Sequence, residues 1–379
     1  MIKILMLNYE FPPLGGGAGN ANLYLLKEFS KYEDVHIDLV TSAVGKYGEQ
    51  KFSDNIKIFF LDIGKDKNLH YQSNKDLLTY AFKSYFFCKK LVEKQPYQLC
   101  HAFFGLPCGF IAMLLGIPYI VSLRGSDVPF YNLRFYWWDK LLFRVLSRRV
   151  WRKASHVIAL SNALKNLAKM TADVDMKVIY NGIDCQEFYP QEETLRREQT
   201  FNILYVGRLI ERKGIIYLLE AFKEFTGQFN KSRLIIVGEG PLKSRLIKYC
   251  LDNGIQDRVQ FLGLIEHHKI CTIYQRSHAI VIPSLQEALG NVTQEAMACG
   301  LPVITTDTGA AELLKDNGFV LEKKDPQKIF QVLKNIFMDA DARVRMGARS
   351  REIAHDMSWG HIAHEYYQLY NRFVKRERR

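Results

Sequence analysis

The chain has 379 residues, of which 48% are hydrophobic and 24% are charged, and its formal net charge is +12. This composition excludes a disordered, collagen-like or low-complexity chain, and the length is sufficient for two domains of ordinary size. The excess of Lys and Arg is compatible with anionic partners such as nucleotides, lipid head groups or nucleic acid, and it selects none of them.

The cysteines and the apolar runs predict a cytoplasmic protein. The seven cysteines are odd in number and none has the C-x-x-C spacing, so we expect neither a disulfide framework nor a structural zinc site. The apolar run 2–8 is too short for a signal peptide and is typical of a buried strand. Residues 102–123 carry no charge, but glycines and prolines interrupt them. We therefore predict a loop, a short helix, a turn and a strand there instead of a membrane span.

Strand-like apolar runs alternate with helical patterns along the chain. The first series lies at 2–8, 35–41, 56–61, 97–102, 119–123, 156–160 and 176–180, and the second at 201–206, 233–237, 258–262, 279–282, 302–305 and 318–321. Such alternation predicts parallel sheets covered by helices on both faces. Because the polar stretch 191–200 separates the two series, we predict an α/β protein with two doubly wound domains and a cleft between them. Ligands are expected beyond the carboxyl ends of the strands.

A glycine-rich loop, which includes Gly16 and Gly17, follows the first strand and precedes an amphipathic helix. Glycine lets backbone amides approach a phosphate closely, and a helix N-terminus adds positive potential. The loop does not fit a dinucleotide fingerprint, because Asn20 stands where the third glycine is required. A loop that binds no ligand is the alternative interpretation.

The loop after the strand at 201–206 contains two cations, Arg208 and Lys213, and a helix begins beyond them. Two cations at this position could bind both phosphates of a nucleoside diphosphate, although solvated loop charges are equally common.

Two carboxylates, Glu287 and Glu295, are eight positions apart after the strand at 279–282. A helix is predicted to begin between them at Gly290 and Asn291. The first carboxylate could accept hydrogen bonds from sugar hydroxyls and the second from a ribose diol, while the helix start faces a diphosphate. Alternatively, both are solvated acids near a helix start.

Taken together, the motifs resemble those of the retaining glycosyltransferases of family 4, which have the two-domain GT-B fold. The resemblance is collinear over nearly the whole chain and includes 15–19, 100–105, 122–127, 180–184, 206–208, 213–214, 237–241, 287–304 and 358–359. It implies a Rossmann-like acceptor domain at 1–185 and a donor domain at 186–360. The C-terminal helix, at about 361–379, would pack back on the first domain.

The resemblance also implies how each site residue acts. Arg208 and Lys213 would neutralise the leaving diphosphate, Glu295 would bind the ribose, and Glu287 would bind hydroxyls of the donor sugar. Backbone amides would line the sugar and phosphates at Leu289, Gly290 and Asn291, and at Gly16 and Gly17. No metal and no cofactor are expected, since fixed cations and a helix dipole can stabilise the leaving group. Retention suggests front-face attack by the acceptor hydroxyl.

One motif departs from the family pattern, because Arg124 stands where many members have the histidine of His-Gly-x-Asp. Arginine is permanently charged, so acid–base work at this position is excluded, whereas hydrogen bonding to a sugar or phosphate is not. Asp127 is expected to orient Arg124 or the acceptor, or alternatively to form an ion pair with a neighbouring arginine. His101 is expected on the acceptor side.

Residues 134–153 contain seven cations, one acid and three of the four tryptophans. Such a helix could lie on an anionic membrane, where the acceptor would be a lipid-linked or cell-envelope glycan. A packed helix with solvated arginines is the alternative, and a nucleic-acid partner is not expected, since no nucleic-acid-binding signature accompanies it. The resemblance favours a hexosyl- or N-acetylhexosaminyltransferase. A non-catalytic nucleotide-sugar-binding regulator and a sugar-nucleotide epimerase or phosphorylase remain alternatives.

Overall fold

The computed structural model describes residues 1–67, 69, 71–132, 135–191 and 200–377. They form two compact units, one of Met1–Asn181 with 359–377 and the other of Gly182–Ser358. The sequence predicts a domain boundary after residue 185 and a C-terminal helix from about residue 361. In the structure the chain passes to the second unit after Asn181 and returns to the first at Trp359.

The first unit is built on a sheet of eight strands within the described residues, hydrogen-bonded in the order β3-β4-β2-β1-β5-β6-β7-β8. The strands are β1 (Ile2–Leu7), β2 (Val35–Ser42), β3 (Gly48–Ser53), β4 (Ile56–Leu61), β5 (Leu99–Phe103), β6 (Tyr119–Leu123), β7 (His156–Ala159) and β8 (Met176–Val178). The edge strand β3 runs antiparallel to β4, and the other pairs are parallel. Every residue of β5 and β6 is buried, as expected for central parallel strands that are covered on both faces.

The helices of the first unit cover both faces of this sheet. They are α1 (Gly17–Phe29), α2 (Asn74–Lys94), α3 (Phe110–Leu115), α4 (Tyr136–Trp138), α5 (Arg144–Lys153), α6 (Asn162–Lys169) and α13 (Trp359–Glu377). From β1 the chain adds β2 and β4 on one side of the sheet, and it then crosses back to add β5 to β8 on the other side. Right-handed crossovers in these opposite directions put α1 on one face and α2, α3 and α5 on the other. The C-terminal helix α13 packs against α1 and β1.

The second unit has six parallel strands within its described part, in the order β11-β10-β9-β12-β13-β14. The strands are β9 (Phe201–Val206), β10 (Ser232–Val237), β11 (Val259–Gly263), β12 (Ala279–Ile282), β13 (Val303–Thr306) and β14 (Gly318–Leu321). The helices are α7 (Ile215–Gln228), α8 (Lys243–Asp252), α9 (His267–Gln275), α10 (Asn291–Ala298), α11 (Pro326–Met338) and α12 (Ala340–Asp356). Helix α7 buries the apolar stripe that contains Leu218, Phe222 and Phe225 against this sheet.

Each sheet has a point at which the strand order reverses direction. In the second unit this point lies between β9 and β12, and in the first it lies between β1 and β5. Loops that follow the two neighbouring strands diverge there and leave a crevice at the carboxyl ends, which is where ligands bind in open α/β sheets. The predicted fold class, with two doubly wound parallel-sheet units, is confirmed.

None of the seven cysteines, all of which the structure describes, takes part in a disulfide. The uncharged stretch 102–123 forms part of β5, a turn, the short helix α3 and then β6, as predicted. Within the described part of the chain, no helix combines the length and the apolar character needed to cross a membrane.

Candidate functional site

The crevice of the second unit lies between the loop that follows β9 and the loop that follows β12. Gly214 allows the two loops to approach each other closely. Its φ is +64°, and a Cβ there would lie 2.0 Å from the carbonyl oxygen of Pro283. Only glycine fits such a conformation at such a distance. In addition, the N–H of Leu285 donates to the carbonyl of Arg212 at 2.8 Å. The backbone therefore holds Lys213 beside the loop after β12.

Lys213 and Glu287, which are 74 positions apart in sequence, form an ion pair through Nζ and Oε2. Their side chains are only 14% and 12% exposed, so water screens this pair less than a surface pair. The Glu287 side chain folds over Gly290, where a Cβ would lie 3.1 Å from Glu287 Cγ. The residue predicted to bind phosphate and the residue predicted to bind sugar thus contact each other.

Arg208 is exposed and lies on the same loop. The hydroxyl of Tyr205 donates to the Arg208 carbonyl at 3.1 Å. Burial raises the pKa of Tyr205; the negative charge of Glu287 raises it further, and the positive charge of Arg208 lowers it. Since Tyr205 is the last residue but one of β9, its hydroxyl and Arg208 both lie at the carboxyl end of this strand.

Helix α10 begins at this crevice. Gly290 precedes its first residue, Asn291, with a φ of +83°, and Leu289 is buried in the loop before it. The positive end of the helix dipole, equivalent to roughly half an elementary charge, therefore lies beside Glu287 and Lys213. The residues predicted to line the phosphates with backbone amides are thus brought to the same place as the predicted cations.

Glu295, on the second turn of α10, is half-buried, and its Oε2 accepts a hydrogen bond from the hydroxyl of Tyr274 at 2.7 Å. Burial raises the pKa of Glu295, whereas the hydrogen bond from Tyr274 and the positive charge of His267 oppose this rise. Tyr274 lies on α9 and was not predicted as a site residue. Nothing in the local pattern of an aromatic residue on an amphipathic helix distinguishes it from a core residue.

In the first unit, the glycine-rich loop follows β1 as predicted. Gly16 stands immediately before α1, which begins at Gly17, and the Gly16 N–H donates to Oε2 of Glu10 at 3.3 Å. The structure therefore places a carboxylate, and not only a helix terminus, at this loop. Sequence reasoning missed Glu10, although a carboxylate five positions before the first glycine of the loop could have indicated it.

Arg124 and Asp127 lie just beyond β6. Asp127 accepts backbone hydrogen bonds from Gly105 at 2.6 Å and from Arg124 at 2.8 Å, which joins the loops after β5 and β6. Burial raises the pKa of Asp127, and these two N–H groups counteract it. The guanidinium of Arg124 donates to Asn181 Oδ1 at 2.8 Å and lies 4.2 Å from the centre of the Phe103 ring. Asp127 thus positions the backbone of Arg124.

His101 was expected on the acceptor side, and the structure places it in the interior instead. Its exposed fraction is 0%; Nδ1 is 2.6 Å from the hydroxyl of Tyr370 and Nε2 is 2.7 Å from Oγ of Ser122. Burial, and secondarily the charge of Arg124, holds the pKa of His101 well below its usual value. The neutral ring therefore joins β5 and β6 to α13 and does not reach the surface.

The segment predicted as one basic helix at 134–153 is helical from Tyr136 to Lys153, as α4, a π-helical turn at Asp139–Phe143 and α5, and Arg134 lies outside the described residues. Arg144 and Arg148 donate to the carbonyls of Met170 and Thr171 at 3.3 and 3.0 Å. They therefore attach α5 to the end of α6. The remaining cations of α5 that are exposed are Arg149, Arg152 and Lys153.

Among the described residues, no group of three or more His, Cys, Asp or Glu side chains has an arrangement that could hold a metal ion.

The two units and their crevices define the GT-B fold of glycosyltransferases. The sucrose-phosphate synthase of Thermosynechococcus elongatus superposes with a TM-score of 0.83 at 22% identity, over 99% of this chain and 100% of that one. HepE of Anabaena, solved in complex with UDP and glucose, superposes with a TM-score of 0.74 at 21% identity, over 97% and 99%.

Sequence comparison identifies the family. The model of "Glycosyltransferase Family 4" matches residues 15–187, and that of "Glycosyl transferases group 1" matches residues 189–353. An uncharacterized glycosyltransferase of Methanocaldococcus jannaschii is 24% identical over 95% of each chain. One of the subunits of the human phosphatidylinositol N-acetylglucosaminyltransferase is 25% identical over 98% of this chain and 76% of its own. The chain belongs to the group 1, family 4-like glycosyltransferases, as the motifs predicted.

Proposed function

We propose that this glycosyltransferase moves a sugar from a nucleotide-diphosphate-sugar to an acceptor hydroxyl with retention of configuration. The observation that carries the proposal is the meeting of Lys213, Glu287 and the start of α10 where the strand order of the second unit reverses. Cation, carboxylate and helix dipole together match a diphosphate joined to a sugar. The binding of UDP and glucose by HepE supports this class of donor.

Donor binding would exchange the partners of Lys213. A diphosphate at the start of α10 offers Lys213 a doubly charged acceptor in place of Oε2 of Glu287. The released carboxylate would then accept hydrogen bonds from hydroxyls of the donor sugar. Because the ion pair is little exposed, neither group needs to be stripped of a full hydration shell at that moment. Arg208, which is exposed at the loop, would bind the second phosphate.

Glu295 would bind the ribose diol through its two oxygens. Tyr274 donates to Oε2 and so fixes the orientation of the carboxylate, which makes Tyr274 a positioning residue. For both oxygens to accept, the carboxyl group must be ionised, since protonation turns one of them into an O–H donor. Because the pKa of Glu295 is raised, nucleotide binding would weaken at a pH above the usual range of a glutamate.

The transfer step would use the leaving phosphate as its base. The bond between the anomeric carbon and the phosphate oxygen breaks, the acceptor oxygen bonds to that carbon from the same face, and the acceptor proton passes to the phosphate. Lys213, Arg208 and the α10 dipole would stabilise the developing negative charge, in place of a metal ion. We propose a hexosyl- or N-acetylhexosaminyltransferase that needs neither metal nor cofactor.

The acceptor in this proposal is a lipid-linked or cell-envelope glycan, reached at the cytoplasmic face of an anionic membrane. The similarity to part of a phosphatidylinositol N-acetylglucosaminyltransferase supports a lipid-linked acceptor. The exposed Trp137 and Trp138 of α4, which are 70% and 52% exposed, would lie at the head-group level, as tryptophans do in interfacial helices. The roles of Gly16, Gly17 and Arg124 towards the substrates stay predictions.

The test is transfer of radiolabelled sugar from a panel of nucleotide-diphosphate-sugars to extracted membrane lipids in excess chelator. We expect transfer from one donor, with the anomeric configuration of the donor kept in the product. Binding without transfer would favour a nucleotide-sugar-binding regulator. Conversion of the donor sugar itself would favour an epimerase, and release of sugar phosphate by inorganic phosphate would favour a phosphorylase. Loss of transfer with chelator, and its rescue by Mg²⁺, would contradict metal independence.

A further inference from the structure

Helix α2 presents a stripe of apolar side chains to solvent. Leu78, Phe82 and Phe86 lie on successive turns, four positions apart, and are 71%, 67% and 49% exposed. The rings of Phe82 and Phe86 contact each other with their centres 4.8 Å apart. The opposite side of the helix buries Tyr80, Ser84 and Cys88 against the unit. Large exposed apolar residues that follow one another along a helix indicate a surface that binds a partner.

Cations surround this stripe. The helix contains five lysines and only two acids, Asp76 and Glu93. Asp76 is paired with the buried Lys65 at 2.7 Å and caps the helix start, so Glu93 is the one acid that α2 exposes. The exposed lysines of α2 are Lys75, Lys83, Lys89, Lys90 and Lys94.

The stripe belongs to a larger surface. Helix α2 packs against α3, and α3 packs against α5, on one face of the sheet. The outer sides of neighbouring helices in one layer point away from the sheet in a common direction. Leu114 of α3, between the two longer helices, is also exposed, as are Leu141, just before α5, and Val145 of α5. We define the docking face as the exposed side of α2, α3 and the segment 136–153.

Most of the excess positive charge of the chain lies in this layer. Residues 74–94, 110–115 and 136–153 contain eleven Lys or Arg and three Asp or Glu, an excess of eight out of the +12 of the whole chain. An apolar protein partner would not need this rim of cations. A bilayer with anionic head groups matches both features, because it takes apolar side chains at the acyl boundary and cations at its surface.

We propose that the docking face binds an anionic lipid bilayer and that α2 inserts Leu78, Phe82 and Phe86 into it. Helix α2 is then a second membrane element beside the segment 136–153. The inference rests on the proposed function in one respect only, namely that membrane binding would bring the enzyme to a lipid-linked acceptor. Membrane binding itself requires no donor.

The experiment is sedimentation of the full chain with vesicles of phosphatidylcholine, with and without phosphatidylglycerol. The parent is expected to sediment with the anionic vesicles only, and added salt should release it. The L78S/F82S/F86S variant should bind the anionic vesicles at least about tenfold more weakly. The K75Q/K89Q/K90Q variant should lose about fivefold for each lysine. The matched control is L251S/L264S/V320S, which changes three exposed apolar residues of the second unit and should bind as the parent does.

Three results would overturn the inference. They are a parent that does not bind anionic vesicles, an α2 triple variant that binds as well as the parent, and a parent that forms dimers which the α2 triple variant abolishes. The last would assign the stripe to a second copy of the chain. Titration of the same variants with nucleoside diphosphates separates this inference from the proposed function, because donor binding should be unchanged in all of them. Circular dichroism verifies that each variant is folded.

Discussion

The crevices of the two units show how similar strand ends can serve different purposes. In the second unit, the polar side chains after β9 and β12 contact one another across the crevice, and Lys213 pairs with Glu287. In the first unit, the polar residues on and after β5 and β6 are bound to the scaffold, since His101 bonds to Tyr370 and Asp127 bonds to backbone N–H groups. The polar side chains of the second unit thus form an ion pair that a ligand could replace, whereas His101 and Asp127 of the first unit hold elements of the scaffold together.

The largest effect is expected from the two cations of the second unit. Replacing Arg208 or Lys213 with Ala should lower sugar transfer at least about 100-fold, because each would remove a charge that stabilises the leaving diphosphate. The measurement is the initial rate of sugar transfer at a sub-saturating concentration of the donor. Lys243→Ala is the matched control. Lys243 belongs to the same unit but forms an ion pair at 2.5 Å with Glu239, on a neighbouring loop, so its replacement should leave transfer unchanged. Near-normal rates in both single variants would refute these assignments.

A backbone variant tests whether the two loops of the second unit must touch. Gly214→Ala would place a methyl group 2.0 Å from the Pro283 carbonyl at a positive φ, and strain of this kind costs on the order of 1–3 kcal/mol. Gly227→Ala is the control, because nothing lies within 4 Å of its Cβ position inside α7. That change should instead stabilise the helix by up to about 1 kcal/mol. Denaturant unfolding measures both, and an equal effect of the two changes would contradict the role given to Gly214.

The buried histidine of the first unit predicts a pH dependence of stability. The folded protein keeps His101 neutral because its pKa is lowered, whereas the unfolded chain binds a proton below about pH 6.5. Stability is therefore complete above that pH and is lost as the pH falls through it. The free energy of unfolding should fall less steeply over this range in His101→Gln. Equal slopes would show that His101 takes up its proton in the folded state.

The smallest effects should separate the two glutamates. Glu295→Ala is expected to weaken binding of a nucleoside diphosphate about tenfold, the usual loss for hydrogen bonds to a charged group. Glu287→Ala should leave that affinity unchanged or increase it, because it frees Lys213, and should weaken only the sugar-bearing donor. The affinity of the parent for the nucleoside diphosphate should decrease as the pH is lowered. Because the pKa of Glu295 is raised, this decrease should begin at a pH above the usual titration range of a glutamate. Calorimetry checks these expectations, and identical losses in both variants would reject the division of roles.

Periodicity in the sequence was sufficient for the architecture. Buried strands such as β1 and β9 are continuous apolar runs between helical patterns, so both sheets could be predicted locally. The edge strand β3 was missed because its residues, Gly48–Ser53, are mostly exposed and polar. The cations and carboxylates after β9 and β12 could be named from their positions after strands.

Contacts between distant residues could not be predicted in this way. The ion pair of Lys213 and Glu287 spans 74 positions, and the bond of His101 to Tyr370 spans 269. Neither separation leaves a local pattern. The resemblance therefore put His101 on the acceptor side, although it is a core residue that anchors the last helix.

Calorimetric titration with a panel of nucleoside diphosphates tests the central claim, that the donor binds in the crevice of the second unit. We expect the parent to bind one of them in the presence of chelator, and the R208A/K213A variant to bind it at least about 100-fold more weakly while remaining folded. A variant that binds as tightly as the parent, or a parent that binds none of the nucleotides, would contradict the account.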